Sequence, residues 1–323
     1  MCRPVPLLIV LLPLILNSVS AAELRIGMIG LDTSHVIAFT RLLNDPQHPE
    51  HVPGGRVVAA FKGGSPDLEA SRSRVDRFTE QLQNDFGVQI VPTIEALCES
   101  VDVVMLESVD GRPHLAQARP VILAKKRLFI DKPVAGSLAD AVAIYRLAKE
   151  HDVAVFSSSS LRYYPGLTEL KDADFGELKG ATSIGPAFLE PHHPDLFWYG
   201  VHATEALFAV MGTGCQSVVR TSTRDTDVVT GLWEGGRVGT LRGIRNAKAP
   251  YRVTVYGTKA VLDQQPGGNY APLLREVMRF FQTGVAPVAP EETLEIFAFM
   301  EAADESKRRG GGPVKIEEVM KLD

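Results

Sequence analysis

Imidazole and carboxylate groups are concentrated in the segment "EPHHPDLFWYGVH", residues 190–202. The side chains that could bind a divalent metal are His192, His193, Asp195 and His202. Their spacing matches no established ligand pattern, so we assign no metal site. His192 and His193 are instead expected to hydrogen-bond a polyhydroxy ligand or to lie on a solvated loop. His202 is a candidate proton acceptor, because an imidazole titrates near neutral pH.

The same segment carries the aromatic residues Trp198 and Tyr199. Aromatic rings stack on the apolar faces of sugars, so both are candidate substrate contacts, although an aromatic run before a helix is as often part of the core. Residues 157–160, "SSSS", follow a predicted strand. Their hydroxyl groups suit a hydroxyl-rich ligand, or they form a polar strand exit. The expected partner is a small sugar or polyol.

A second candidate site is the segment "IGMIGLDTSHVIAF", residues 26–39, where an apolar run enters a turn and a helical pattern leaves it. This layout is typical of a dinucleotide-binding turn, whose glycines admit a pyrophosphate. Gly30 keeps the first glycine position, but Asp32 and His35 occupy the second and third. A carboxylate at Asp32 is unfavourable beside a pyrophosphate. Alternatively, Asp32 is a site residue that orients His35 or another base.

The remaining cofactor candidates flank this turn. Thr33 and Ser34 begin the predicted helix, and either serves as its cap. Lys62 stands where a carboxylate would bind an adenosine ribose. It is a candidate contact for the 2′-phosphate of NADP, or a solvated surface lysine.

These residues must be positioned by the elements around them. Residues 23–157 alternate strand and helix patterns, including a charged helix at about 67–84, which predicts a doubly wound, Rossmann-type parallel sheet. Residues 158–323 read mainly as strands separated by glycine-containing turns, with helices at about 202–211, 271–283 and 290–308. The predicted fold is α/β followed by α+β, with the ligand crevice at the carboxyl ends of the parallel strands.

Residues 107–166 resemble the Gfo/Idh/MocA family, which includes glucose-fructose oxidoreductase and inositol dehydrogenase. The family's Glu-Lys-Pro motif is similar to Asp131-Lys132-Pro133, and its histidine after the preceding strand corresponds to His114. Its "R..P" element matches Arg162 and Pro165. "VTVYGTKA" is similar to the family's Gly-Thr-x-Gly turn, and "FAFMEAADESKRRGGGPVKI" to its last helix and strand.

The resemblance implies roles for these residues. Lys132 corresponds to the lysine beside the nicotinamide and the substrate hydroxyl, where an ammonium polarises the reacting oxygen. His202 corresponds to the histidine of the family's D-x-x-x-H-x-x-D pattern, in which Trp198 replaces the first acid. Glu205, one helical turn further on, is expected to orient His202 instead. His114, Asp131 and Pro133 are implied cofactor contacts, and Arg162 is an implied substrate contact.

Two functions follow as hypotheses. The first is an oxidoreductase acting on a sugar or polyol with NAD or NADP in the first domain, in which Lys132 and His202 are catalytic. The second is a cofactor-free carbohydrate hydrolase, lyase or binding protein that uses the same crevice. The two differ at the turn, because Asp32 is expected to point into the crevice if no pyrophosphate binds there.

Composition and the first residues limit the expected partners and the expected cellular location. The net charge of -5 argues against nucleic acid, whose phosphates attract clustered Lys and Arg. Residues 1–22 have the layout of a Sec-type signal peptide, with an apolar run too short for a membrane anchor. We therefore expect export to the periplasm or outside the cell, with no membrane contact after cleavage. A homo-oligomer is possible through an open sheet face, and Cys98 and Cys215 are expected to be buried thiols rather than a disulfide.

Overall fold

The computed structural model describes residues 23–321. The predicted signal peptide, residues 1–22, lies outside this range. Within residues 23–321, none of the helices combines the length and hydropathy that a membrane crossing requires.

The first sheet is parallel and has six strands in the order β3-β2-β1-β4-β5-β6. Its strands are β1 (Leu24–Ile29), β2 (Gly55–Phe61), β3 (Gln89–Val91), β4 (Val103–Leu106), β5 (Arg127–Asp131) and β6 (Val155–Ser158). The middle strands are short apolar runs because helices cover both faces of the sheet. Successive strands are added on one side of β1 up to β3 and on its other side from β4 onward, so the strand order reverses between β1 and β4. In open parallel sheets, ligands bind at the carboxyl ends of the strands beside such a reversal.

The helices of this part are α1 (Ser34–Asn44), α2 (Glu69–Arg72), α3 (Val75–Phe86), α4 (Ile94–Ser100), α5 (His114–Leu123) and α6 (Leu138–Glu150). Thr33 is the N-cap of α1, and its hydroxyl accepts a hydrogen bond from the His35 N–H. The single charged helix predicted at 67–84 is in fact two helices, α2 and α3. The helical pattern is interrupted at Ser73 and Arg74, between these two helices.

The second sheet has seven strands in the order β12-β11-β7-β10-β9-β8-β13. These strands are β7 (Leu178–Pro186), β8 (Cys215–Ser222), β9 (Thr226–Trp233), β10 (Val238–Ile244), β11 (Arg252–Gly257), β12 (Val261–Asp263) and β13 (Val314–Lys315). All neighbours pair antiparallel except β7 and β10, which run parallel. The predicted fold class, a Rossmann-type sheet followed by a mainly antiparallel sheet, is confirmed.

The later helices are α7 (Pro165–Asp172), α8 (Asp195–Trp198), α9 (Gly200–Met211), α10 (Ala271–Thr283), α11 (Pro290–Arg308) and α12 (Ile316–Met320). Helices α9 and α11 cover one face of the second sheet. Helix α10 instead packs on the first domain, where Phe280 lies against Phe156 in a shared core. The domain boundary at residue 157 stays a prediction, since the core of the first domain includes this later helix. Cys98 and Cys215 are buried and unpaired.

Candidate active site

A cavity of about 560 Å³ opens at the carboxyl ends of the parallel strands. Its walls come from both parts of the chain: the start of α1, helix α2 and the turn after it, the loops after β4 and β5, and the segments around α8, α9 and α10. This size is within the range of small-molecule sites. Thr33, Ser34 and His35 line it at one side, and Lys132 and His202 line it at the other.

Lys132 and His202 therefore share one cavity. Lys132 follows the last residue of β5, and His202 lies in the first turn of α9. The His202 Nδ1 and the Ser159 Oγ are joined by a hydrogen bond of 2.8 Å. Burial lowers the pKa of His202 well below its usual value, and the positive charges of Lys132 and His35 lower it further. The imidazole is neutral at pH 7, which is the form that accepts a proton.

Glu205 does not orient His202, contrary to the prediction. The buried Glu205 carboxylate accepts hydrogen bonds from the Ser158 hydroxyl and from Arg162 Nε, the latter at 3.1 Å. Arg162 also forms an ion pair with Glu292, and neither Arg162 nor Glu205 lines the cavity. Residues three apart on α9 share a face only approximately, and here His202 faces the cavity while Glu205 faces the protein interior.

A buried carboxylate that sequence reasoning missed lies behind this wall. Glu107 directly follows β4 and is fully buried, and neither of its carboxylate oxygens has a hydrogen-bond partner within the described part of the chain. Next to it, Asp131 Oδ2 lies 2.6 Å from His35 Nδ1. The signal in the sequence was an acidic residue immediately after an apolar strand, at the edge where parallel strands meet a ligand.

The two carboxyl groups have opposite pKa shifts. Burial raises the pKa of Glu107 well above its usual value, and the Asp131 charge adds to this rise. Burial also acts to raise the pKa of Asp131, but the charges of His35 and Lys132 outweigh it and lower that pKa. Asp131 is therefore the ionised member of the pair.

Asp32 points away from the cavity. It is fully buried, its Oδ2 accepts a hydrogen bond of 2.6 Å from the Ser71 hydroxyl, and its Oδ1 accepts one of 2.8 Å from the Val109 N–H. Burial raises the pKa of Asp32, although both hydrogen bonds act to lower it. The expectation that Asp32 would face an empty crevice, or orient His35, does not match this arrangement.

Further hydrogen bonds fix the loop after β2, which contains Ser65 and Asp67. The Ser65 hydroxyl donates to Asp110 Oδ2 at 2.6 Å, and Arg112 donates to both carboxylate oxygens of Asp67 at 2.9 and 3.0 Å. We call residues 65–71 and their partners Asp32, Asp110 and Arg112 the polar clasp. The clasp joins the loop after β2 to the loop after β4 and so passes over the carboxyl end of β1, which lies between those strands.

Gly30 and Lys62 each make a contact within the protein rather than with the cavity. Gly30 has φ +82°, and a Cβ there would lie 2.0 Å from the Ser108 Oγ, so close packing against the β4 loop requires glycine. Lys62 Nζ lies 2.5 Å from the Asp76 carboxylate at the surface and does not line the cavity. The prediction that Lys62 contacts a 2′-phosphate remains without a supporting contact.

Aromatic rings make up much of the cavity wall. The lining aromatic residues are Tyr164, Trp198, Tyr199, Tyr251 and Tyr270. Trp198 and Tyr199 were predicted, whereas the other three come from distant parts of the chain that no local pattern connects. Burial raises the pKa of Tyr270 to about 12, so its hydroxyl stays protonated and available as a donor.

The other predicted site residues lie outside the cavity wall. His114 is fully buried, with its ring nitrogens 2.9 Å from the Ser108 carbonyl and 3.3 Å from the Val134 carbonyl. Pro133 packs against Gly111. None of these, nor Asp131, is a lining residue.

The histidines of segment 190–202 are dispersed. His192 is exposed beside Glu190, whereas His193 is buried and packs against Trp198. Asp195 is held by Arg220 at 3.0 Å and by Lys307 at 2.6 Å. These side chains do not gather into one ligand set.

A Rossmann-type sheet is joined to a mainly antiparallel sheet, and a cavity lined by Lys132 and His202 opens at the carboxyl ends of the parallel strands. Residues 24–159 match the Gfo/Idh/MocA family, described as "Oxidoreductase family, NAD-binding Rossmann fold". This match covers the N-terminal domain and agrees with the family that the sequence motifs predicted.

Individual relatives agree with this assignment. An uncharacterized oxidoreductase of Escherichia coli, YgjR, is 29% identical over 120 residues, a match that spans 36% of this chain and 36% of that protein. A probable dehydrogenase from Thermotoga maritima superposes with a TM-score of 0.74 at 21% identity, covering 92% of this chain and 100% of that chain. A myo-inositol 2-dehydrogenase from Lactobacillus plantarum gives 0.75 at 15% identity, over 91% and 99%. An Agrobacterium radiobacter oxidoreductase in complex with NAD+, L-tartaric acid and magnesium gives 0.72 at 15% identity, over 92% and 99%.

Proposed function

We propose that this protein is an NAD(P)-dependent oxidoreductase that acts on a CH–OH group of a sugar or polyol. The observation that carries the proposal is that Lys132 and a neutral His202 line one cavity at the carboxyl ends of the parallel strands. A small substrate is then within reach of an ammonium group and of a proton acceptor at the same time.

The roles of the two side chains follow from their chemistry. When His202 Nδ1–H donates to Ser159 Oγ, its Nε2 carries a free lone pair and takes the proton of the substrate hydroxyl. The Lys132 ammonium stabilises the negative charge that develops on that oxygen. Ser159 is then the residue that keeps the imidazole in the required orientation.

The cofactor fits one side of the cavity. NAD(P), when bound, accepts the hydride from the substrate carbon. The nicotinamide half would lie near Lys132, and the start of α1 at Thr33 and Ser34, together with Arg74, lines the same cavity in a position to hold its phosphates. The polar clasp follows β2, where the adenosine half usually binds, and its residues Glu69 and Ala70 line the same cavity, so the adenosine half would have to lie against the clasp.

The cavity wall suits a polyhydroxy substrate. Trp198 and Tyr199 offer ring faces for a sugar or polyol, and Ser160 and Glu190 offer hydrogen-bonding groups. Solved structures of similar fold include the myo-inositol 2-dehydrogenase of Lactobacillus plantarum and a scyllo-inositol dehydrogenase of Lactobacillus casei, which is consistent with a polyol.

A second candidate is a cofactor-free lyase or hydrolase acting on a carbohydrate. The polar clasp, with its hydrogen bonds from Ser65 and Ser71, is its basis, whereas the buried Asp32 does not point into the crevice as this candidate predicts. His202 would then act as the base, and Lys132 would still stabilise charge on an oxygen.

Two further features belong to the proposal. Export to the periplasm or outside the cell rests on the signal-peptide layout of residues 1–22. A homo-oligomer would use the uncovered face of the second sheet, where the exposed apolar residues are Val219, Leu232, Val238, Tyr256 and Val261.

The test is reduction of NAD+ or NADP+ by purified protein with a panel of inositols, aldoses and alditols. Wild type is expected to reduce one nucleotide with a polyol, and His202→Asn is expected to abolish turnover while nucleotide binding is retained. Consumption of a sugar with no nucleotide present would favour the second candidate instead. Lack of reduction with every polyol, in protein that binds the nucleotide, would contradict the assigned substrate class.

A further inference from the structure

Three metal-binding side chains converge behind the cavity wall. His35, Glu107 and Asp131 each place one ligand atom within 4.8 Å of the ligand atoms of the other two. They come from three separate elements: the start of α1 and the ends of β4 and β5. Ligand atoms bonded at about 2.0–2.2 Å to one ion lie at most about 4.4 Å apart, so these atoms need only a small movement to bind a common ion.

Within residues 23–321, the acceptor atoms of this group are left without partners. Both carboxylate oxygens of Glu107 and Asp131 Oδ1 are buried and accept no hydrogen bond. Glu107 is 0% exposed and its carboxylate belongs to the same group as the Asp131 and His35 ligand atoms. A buried carboxylate without a partner is strongly unfavourable, so the site calls for a positive charge that the described side chains do not supply to these atoms.

The surrounding charges fit a divalent ion. Two carboxylates balance a charge of +2, and a neutral His35 supplies the nitrogen ligand. Lys132 is the nearby cation, but it lines the cavity and makes no hydrogen bond with Glu107 among the described contacts. His35 also lines the cavity, so an ion bound to it would have an open coordination position on the substrate side.

We propose that His35, Glu107 and Asp131 bind one divalent transition-metal ion of the Mn²⁺ or Zn²⁺ class. One imidazole with two carboxylates is a mixed nitrogen and oxygen ligand set that these ions accept. The ion replaces the direct contact between His35 Nδ1 and Asp131 Oδ2 and satisfies the unpartnered oxygens. The metal site goes beyond the proposed function and does not depend on a dinucleotide. It also departs from the sequence-based expectation of no metal.

The test is a titration of chelator-treated full-length mature protein with Zn²⁺ and with Mn²⁺ by calorimetry, with metal content measured after gel filtration. Wild type is expected to bind one equivalent. Glu107→Gln, which keeps the side-chain size, is expected to weaken binding at least about 100-fold. Glu80→Gln, at the exposed surface of α3, is the matched control and is expected to bind metal as wild type.

Thermal melting of the metal-free proteins separates ligand loss from misfolding. Glu107→Gln replaces a buried carboxyl group that has no hydrogen-bond partner within residues 23–321, and it is expected to melt close to the wild-type temperature without metal and to gain nothing when metal is added. Wild type that binds neither ion would overturn the proposal, as would Glu107→Gln that binds as tightly as wild type. The latter result would mean that Glu107 and Asp131 share a proton rather than an ion.

Discussion

The two sides of the crevice differ in whether their polar side chains bond to one another or line open space. On the β2 side, polar side chains bond to one another, since the Ser71 hydroxyl and the Val109 N–H donate to Asp32. On the β5 side, Lys132 and His202 line open space. We therefore propose that substrate and nicotinamide bind on the β5 side, and that the polar clasp restricts the side on which a dinucleotide's adenosine would lie.

Two buried carboxylates make the difference clear. Asp32 and Glu107 are both fully buried beside the same crevice, at the ends of neighbouring strands. Asp32 accepts two hydrogen bonds and so fixes a loop, whereas Glu107 accepts none from residues 23–321. Burial alone does not identify a functional carboxylate, but burial without a partner does single one out.

The largest expected effect concerns the open side. Lys132→Met should lower kcat on the order of 100-fold or more while leaving nucleotide affinity nearly unchanged, because the ammonium acts on the reacting oxygen. The measurement is steady-state turnover together with nucleotide binding by fluorescence. Lys171→Met, at the exposed surface of α7, is the control and should behave as wild type. Equal turnover in Lys132→Met would remove this residue from the mechanism.

The closed side should respond in stability. Asp32→Ala leaves the Ser71 hydroxyl and the Val109 N–H without their acceptor, which should lower the free energy of unfolding by roughly 2 kcal/mol or more. Urea denaturation measures this loss. The exposed Asp85→Ala control should stay within about 0.5 kcal/mol of wild type. A similar result for Asp32→Ala would show that the clasp does not hold the loop.

A smaller effect is expected in the pH dependence. Because the pKa of His202 is lowered below 6.5, its neutral form persists as the pH falls, and the acid limb of kcat/KM should lie below pH 6.5. The same shift means that His202 contributes stability above pH 6.5 that is lost as the pH falls through its lowered pKa. A pH-rate profile measures the limb. A limb above pH 6.5 would show that His202 is not the base.

The sequence predicted the elements well where local patterns decide them. Helices α10 and α11 have the predicted bounds, and Thr33 caps α1. It was less accurate at the helix predicted for residues 67–84, because α2 covers only Glu69–Arg72 and lies beside the hydrogen bonds from Ser65 to Asp110 and from Ser71 to Asp32.

In the candidate site too, local motifs predicted some residues, whereas residues brought in by tertiary contacts were not predicted. The sequence identified Lys132 and His202 from motif positions, and both line the cavity. It did not identify Tyr251 and Tyr270, which only tertiary folding brings there, and it assigned Glu205 to His202 although Ser159 makes that contact. Side-chain direction on a helix depends on packing that spacing alone does not specify.

The central claim is that the crevice is open on its nicotinamide side and closed on its adenosine side. The most direct measurement compares the dissociation constants of reduced nicotinamide mononucleotide and NADH by nicotinamide fluorescence, in wild type and in Asp32→Gly. A closed adenosine side predicts constants within about tenfold of each other for wild type, a difference of less than about 1.4 kcal/mol. Asp32→Gly, which opens the clasp, should tighten NADH binding about tenfold and leave the mononucleotide unchanged. NADH that binds wild type 100-fold or more tightly than the mononucleotide would contradict closure, and failure of both to bind would contradict the nicotinamide site itself.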